Sequence, residues 1–200
     1  MLSRKVVHSQ YFPLIALGIQ LAKKKSTWTD IKRQLTEFDR SALLTLIQDL
    51  YAASKENQVF MHARFNLGDD VLQPYKATIE RWVCPDVTRN QNHSIAKAKK
   101  AIADYKKAVG RPEGVADLTV FYCESCLKLL DYCGMEDENY FSALVRMFEQ
   151  SLKAIVMLET SQRDHFLERL ERVFDESSKW GWGVDDDLND LMAEYGFAER

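Results

Sequence analysis

The chain has 200 residues, of which 46% are hydrophobic and 28% are charged, and its formal net charge is -3. This composition describes an ordinary soluble globular chain, long enough to bury most of the apolar surface of its unfolded form. Only eight Gly and four Pro are spread over the length, which excludes a long flexible linker. We therefore expect a single domain over residues 1–200.

The first apolar run, from Tyr11 to Ala22, is about half as long as a bilayer crossing requires and is interrupted by Pro13 and Gly18. It ends in three lysines rather than in a small-residue cleavage site, so we expect neither a membrane segment nor secretion. The four cysteines are accordingly expected to be reduced thiols in a cytoplasmic protein. The run itself predicts a first helix from Pro13 to Lys24.

The chain then continues as a series of amphipathic helices separated by capping residues and breaks. Ser161 followed by Asp164 has the form of a capping box, and Ser94 has the position of a helix N-cap. The predicted helices span 27–38, 41–54, 54–66, 75–83, 94–110, 115–133, 138–159, 161–174 and 188–196. Residues 86–93 carry no periodicity and predict an exposed loop.

The stretch from Val115 to Cys133 is apolar nearly all round, with only a narrow polar face. A helix with this pattern is covered by neighbours on most of its surface, so we predict that it is the central helix of the fold. Its two apolar stripes are Val115, Leu118, Tyr122, Leu129 and Tyr132, and beside them Cys123, Cys126, Leu130 and Cys133.

These elements predict an all-α fold of eight to ten helices. Successive amphipathic helices with short connections pack as antiparallel neighbours, either in an irregular multi-helix bundle or in an α-α superhelix of stacked hairpins. No repeat with a period of about 30 to 47 residues is present, which slightly favours the irregular bundle.

The stretch from Asp39 to Arg64 contains the motifs Leu-x-x-Leu-Ile-x-Asp-Leu-Tyr and Lys-Glu-Asn. It resembles the corresponding stretch of an uncharacterised family of small bacterial all-helical proteins, a domain of unknown function. The segment from Gly181 to Leu191 is similar to that family's closing glycine, aromatic and acidic segment. The resemblance covers roughly a third of the chain. It implies an all-α fold, and it implies no activity, cofactor or catalytic residue.

The pair Cys123-x-x-Cys126 places two thiols on one side of a helix, and Cys133, Cys84 or His93 would complete a tetrahedral zinc site. However, the same cysteines lie on an apolar stripe, where a core helix places small hydrophobic side chains, and no second paired motif follows. We therefore predict that they pack in the core and that no metal or other cofactor is bound.

The acidic run Asp185, Asp186 and Asp187 raises the possibility of a calcium loop. An EF-hand starting at Asp185 would need Gly and Glu at positions that hold Asp190 and Gly196. Carboxylates at the positive end of a helix dipole explain the run without a ligand.

The turn before this acidic run contains Trp180 and Trp182, each followed by a glycine. At least one tryptophan is predicted to close the end of the core, and Trp182 is expected to destabilise the fold when truncated. The other reading is an exposed contact patch, in which Trp180 joins Asp185–Asp187 as an interaction surface.

Basic residues predominate in the first two thirds of the chain. Residues 1–133 contain 20 basic and 14 acidic side chains, whereas residues 134–200 contain 7 and 16. The helix 94–110 is rich in lysine and would supply a nucleic-acid-binding surface together with the lysines near residues 23–33. The candidate nucleic-acid-binding residues are Lys97, Lys99, Lys100, Lys106, Lys107 and Arg111.

No catalytic signature is present in the sequence: HExxH, GxSxG, a phosphate loop and GxGxxG are all missing, and the four histidines lack metal-ligand spacing. We therefore expect a non-enzymatic interaction protein, an adaptor or regulator that binds a protein partner or a second copy of itself. The alternative is a nucleic-acid-binding protein that uses the lysine-rich helices.

Overall fold

A computed structural model describes residues 26–197. All regular secondary structure in these residues is helical and none of it is strand, which confirms the predicted all-α fold with its eight to ten helices. The helices are α1 (Trp28–Leu35), α2 (Arg40–Ala53), α3 (Lys55–Phe65), α4 (Gln73–Val83), α5 (Ile95–Ala108), α6 (Pro112–Cys133), α7 (Glu138–Val156), α8 (Thr160–Ser177) and α9 (Val184–Glu194), with a 3-10 turn at Val87–Arg89. Within this described part, none of the helices has the length and apolar content needed to cross a membrane. The helix predicted for Pro13–Lys24 lies outside the described residues.

The chain divides into two compact units, Met1–Leu46 and Ile47–Arg200, and the division falls within α2. In the first unit, α1 begins with a capping box in which the Asp30 carboxylate accepts hydrogen bonds from the amide and the hydroxyl of Thr27, each at 2.9 Å. Within the described residues, α2 buries none of its side chains completely. The single domain predicted over residues 1–200 stays a prediction.

The second unit is built around α6, as the apolar pattern of 115–133 predicts. Helices α4, α5, α7 and α8 all pack on it, and α9 packs on α7 and α8. Gly114 allows α5 to approach α6 closely, because a Cβ on Gly114 would lie 2.0 Å from the Tyr105 hydroxyl oxygen. The buried Tyr140 on α7 donates a hydrogen bond to the Val83 carbonyl at 2.6 Å, which joins α7 to the end of α4.

One largely buried ion network connects α4, α6 and α8. The Arg169 guanidinium donates two hydrogen bonds to the Glu124 carboxylate, at 2.8 and 2.7 Å, and a third to Asp117 at 2.7 Å. The second oxygen of Asp117 lies 2.7 Å from the ammonium of Lys76. Every charge in this chain of contacts therefore has an opposite neighbour, as burial requires.

Two local predictions, about a helix start and about exposure, are wrong. Helix α7 ends at Val156 and α8 begins at Thr160 with Glu159 as its N-cap, so Ser161 lies inside α8 and does not start it. Ser94 is the N-cap residue of α5, as predicted, although its side chain makes no capping hydrogen bond. Tyr132 and Cys133 are exposed, because they lie in the last turn of α6, beyond the helices that cover the rest of its surface.

Candidate functional site

A groove with a volume of about 580 Å³ lies in the second unit, where α3 and α4 both pack on α5. Its lining residues are Lys55, Glu56, Asn57, Val59 and Phe60 from α3, Pro74, Tyr75, Thr78 and Trp82 from α4, and Lys97, Lys100, Ala101, Asp104 and Lys107 from α5. We call this site the α3–α5 groove.

Local sequence features set the walls of the groove. Helix α3 starts where the Ser54 hydroxyl accepts a hydrogen bond from the Asn57 amide at 3.1 Å, as predicted for this N-cap. Pro74 lies in the first turn of α4, where its missing N–H is tolerated. Ala101 is buried on α5, and its single methyl group leaves space that a larger side chain would fill.

The groove runs along α5. Near the C-terminal end of α5, the Tyr75 ring packs edge-on against Tyr105, with ring centroids 5.4 Å apart. Near the N-terminal end, the Lys97 ammonium lies 3.8 Å from the centre of the Trp82 ring. Helix α4 is therefore antiparallel to α5, and the groove extends from Lys97 to Lys107, which are ten residues or about 15 Å apart on a helix.

The charges of the groove are predominantly positive. Three lysines of α5 and Lys55 of α3 face two carboxylates, Glu56 and Asp104. The Lys100 ammonium donates to Asp104 at 2.5 Å, so these two charges already neutralise each other. Hydrogen bonds from its own backbone amide and from Ser54 lower the pKa of Glu56, which keeps this carboxylate charged near neutral pH.

Two of the three aromatic rings of the groove lie against cations of the same chain. The ring of Trp82 lies beneath Lys97 and also beneath the guanidinium of Arg81, at 4.4 Å. The ring of Phe60 lies 5.4 Å from the guanidinium of Arg64. These cation–π contacts use ring faces that a stacked base would need.

The groove contains half of the six basic residues predicted for nucleic-acid binding. Lys97, Lys100 and Lys107 line it, whereas Lys99, Lys106 and Arg111 do not. Burial, together with the positive charge of Arg146 on α7, lowers the pKa of Lys99. The lysine-rich helix thus divides its charges between the groove and other faces.

The C-terminal turn places its two tryptophans in different environments. Trp180 is half-buried and packs against the core, although its indole N–H has no hydrogen-bond partner within residues 26–197. Trp182 is 59% exposed and stacks on Phe141, with ring centroids 5.9 Å apart. Residues 181–183 all have positive φ, and this reversal turns Trp182 outward. Trp180 therefore fits the prediction that at least one tryptophan closes the end of the core, whereas the exposure of Trp182 argues against the large destabilisation predicted for its truncation.

The three predicted aspartates lie in the first turn of α9, which begins at Val184 rather than at Leu188. Asp185 and Asp186 line a second, open pocket of about 380 Å³ against α8, and both Asp186 and Asp187 are exposed. Their position at the positive end of the helix dipole accounts for the run. A role in binding a partner stays a prediction for these residues and for Trp180.

The four cysteines are all unpaired. Cys123 and Cys126 are buried, as the core reading predicts, whereas Cys133 is exposed and Cys84 is half-buried. Across the part of the chain that the structure describes, no three His, Cys, Asp or Glu side chains come together in a way that could hold a metal ion. The absence of a bound metal stays a prediction.

Several groove residues were not identified from the sequence. Phe60 and Trp82 lie at apolar positions of their helices that would also suit a core residue. Ala101 gives no signal by itself. Its importance depends on α3 and α4 lying on both sides of it, which pattern within one helix does not reveal.

Comparison with protein-family models, with curated proteins and with solved structures finds no match to this chain. The resemblance of the stretch from Asp39 to Arg64 to a bacterial family therefore stays an expectation, and function is argued from the groove.

Proposed function

We propose that the protein is a non-enzymatic interaction protein that binds a helical segment of a partner protein in the α3–α5 groove. The observation that carries this proposal is a groove with an apolar interior and lysines along its margin, following about three turns of α5. In helix-in-groove recognition, one apolar face of an amphipathic helix lies in such a groove.

The apolar lining consists of Val59, Phe60, Tyr75, Trp82 and Ala101. Tyr75 and Ala101 are buried and form the floor of the groove, so Val59, Phe60 and Trp82 supply the contact area. Phe60 is 39% exposed in the free protein, so docking would remove apolar surface from water there. Tryptophan is one of the residue types that carry most of the binding energy in known interfaces.

Two further features fit an interaction protein of the cytoplasm. All four cysteines lack a disulfide partner, as is usual in a reducing compartment. The groove lining contains no histidine, the residue type that acts most often in general acid–base catalysis.

Nucleic-acid binding is the second candidate, and the four groove lysines support it. The aromatic faces argue against base stacking, since Lys97 and Arg81 already occupy positions over Trp82. Base stacking would require the displacement of these cations.

The test uses two phenylalanines of α3 as a matched pair. Phe60 lines the groove, whereas Phe65 does not and is 69% exposed. The probe is a fluorescent amphipathic peptide of about 18 residues, with a leucine face and alternating Glu and Lys on its polar face. We expect a Kd below about 100 μM, weakened at least about tenfold by Phe60→Ser and less than about twofold by Phe65→Ser.

Two results would contradict the proposal: no binding of the probe at about 1 mM, or equal loss in the two variants. A gel shift of duplex DNA at low salt, together with no peptide binding, would establish the nucleic-acid candidate in its place.

A further inference from the structure

The charges on the groove side of α5 are arranged in a definite order. Lys97, Lys100, Asp104 and Lys107 follow one another at intervals of three, four and three residues, so they share one face of the helix. The middle pair is neutralised by the contact between Lys100 and Asp104. Lys97 and Lys107 remain at the two ends, and no carboxylate within residues 26–197 forms an ion pair with either of them.

The centre of this row carries no net charge. Lys100 and Asp104 pair with each other there, and the apolar side chains of Val59, Phe60 and Ala101 line the groove beside them. A carboxylate of an occupant at the centre would meet a lysine that is already paired with Asp104, whereas a carboxylate at either end would meet an ammonium that has no carboxylate partner among the described residues.

We propose that the natural occupant is an acidic amphipathic helix with an apolar centre and a carboxylate near each end. This inference rests on the docking groove proposed above. The two carboxylates are ten or eleven residues apart, because this spacing returns to the same helix face after about three turns, or about 15 Å. One meets Lys97 and the other meets Lys107. The partner is therefore recognised by where its charges lie as well as by their sign.

The experiment compares three peptides of about 18 residues that share one leucine face. The first has Glu near both ends of that face, the second has the same two Glu at its centre, and the third has Lys near both ends. Binding is followed by fluorescence anisotropy at about 0.1 M salt, where the Debye length is about 10 Å. We expect the end-acidic peptide to bind about tenfold more tightly than the centre-acidic peptide, and the end-basic peptide to bind most weakly.

Two double variants of α5 provide a matched control, because each removes two positive charges from the same helix. The double variant Lys97→Gln with Lys107→Gln should bind the end-acidic peptide at least about tenfold more weakly. It should also bind the end-acidic and centre-acidic peptides with equal affinity. Lys99→Gln with Lys106→Gln changes residues outside the groove and should alter affinity less than about twofold. Circular dichroism and thermal melting verify that both variants are folded.

The outcomes separate this inference from the proposed function. If no peptide binds at about 1 mM, the docking groove itself is refuted. If all three peptides bind equally well and Phe60→Ser still lowers their affinity, docking in the groove is supported and the proposed charge pattern is wrong. Equal losses in the two double variants would also overturn the charge pattern, because they would indicate attraction by net charge alone.

Discussion

Replacement of Arg169 by methionine tests the ion network that joins α6 and α8. The substitution keeps an unbranched side chain of moderate size and removes the guanidinium that contacts Glu124 and Asp117. Glu124 then loses its main partner, and Asp117 keeps only Lys76, while both carboxylates remain largely buried. The side chains of Arg169, Asp117 and Glu124 are 13%, 17% and 25% exposed, so water compensates only in part.

Loss of one partner from a fully buried ion pair costs about 3–5 kcal/mol. The residual exposure of this network places Arg169→Met at the lower end, at about 3 kcal/mol of unfolding free energy. For a chain of this size, that corresponds to a fall in Tm of about 6–12 °C. Arg172 on the same helix is a control, since it is 69% exposed and 3.8 Å from Glu124. Its replacement by methionine should cost less than about 1 kcal/mol.

The pH dependence provides a second readout. Burial alone would raise the pKa of Asp117, but hydrogen bonds and charges from Lys76 and Arg169 outweigh it and hold the pKa below its ordinary value. A lowered carboxyl pKa contributes stability that is present above about pH 4 and is lost as the pH falls through the folded-state value. The urea midpoint of the wild type should therefore fall below about pH 4. The midpoint of Arg169→Met should fall less over the same pH range. An unchanged urea midpoint in Arg169→Met at pH 7 would refute this account of the network.

Three other expectations concern packing and thiol reactivity. Trp180→Ala should lower the unfolding free energy by about 2–3 kcal/mol and Trp182→Ala by less than about 1 kcal/mol, so a larger loss for Trp182 in thermal melts would contradict the placement of the turn. Cys133 should react rapidly with a thiol reagent in the native state. Burial raises the pKa of Cys126 to about 12 and should protect this thiol until urea unfolds the chain. Labelling followed by mass spectrometry measures both rates, and equal rates in the native state would contradict the burial of Cys126. Gly114→Ala should cost about 1–3 kcal/mol, since the new methyl overlaps a buried tyrosine, and a wild-type melting temperature would exclude that close approach.

The sequence predicts the helices well where an apolar pattern is compatible with only one position in the fold. The stretch 115–133 is apolar on so many sides that only a central position buries it, and α6 occupies that position. Ser54 and Pro74 likewise indicate where α3 and α4 begin, because an N-cap and a first-turn proline act within a few residues.

The incorrect predictions arise where contacts between distant residues, or a choice between equivalent neighbouring residues, determine the local structure. Thr160 and Ser161 are adjacent, and α8 begins at the first of them. The turn before α8 is held by Arg163, whose guanidinium donates hydrogen bonds to the carbonyls of Leu158 and Val156, and capping residues alone do not reveal this contact. The outward position of Trp182 depends on its own positive φ, which is uncommon for a bulky residue and is not indicated by its neighbours.

The candidate groove was only partly predictable for the same reason. The sequence identifies Lys97, Lys100 and Lys107 as a charged set, because they are close in one helix. It does not separate them from Lys99 and Lys106, since that separation depends on which faces of α5 meet other helices. The neutralising contact of Lys100 with Asp104 also leaves fewer free charges than a count of lysines suggests.

Methyl NMR with the end-acidic peptide tests the central claim most directly. Val59 and Ala101 report on the groove, whereas the exposed Val156 at the end of α7 reports on a surface outside it. The docking account predicts saturable shifts of the Val59 and Ala101 methyl signals, with the Val156 signals unchanged. Saturable shifts at Val156 or at other positions outside the groove, with Val59 and Ala101 unchanged, would contradict it.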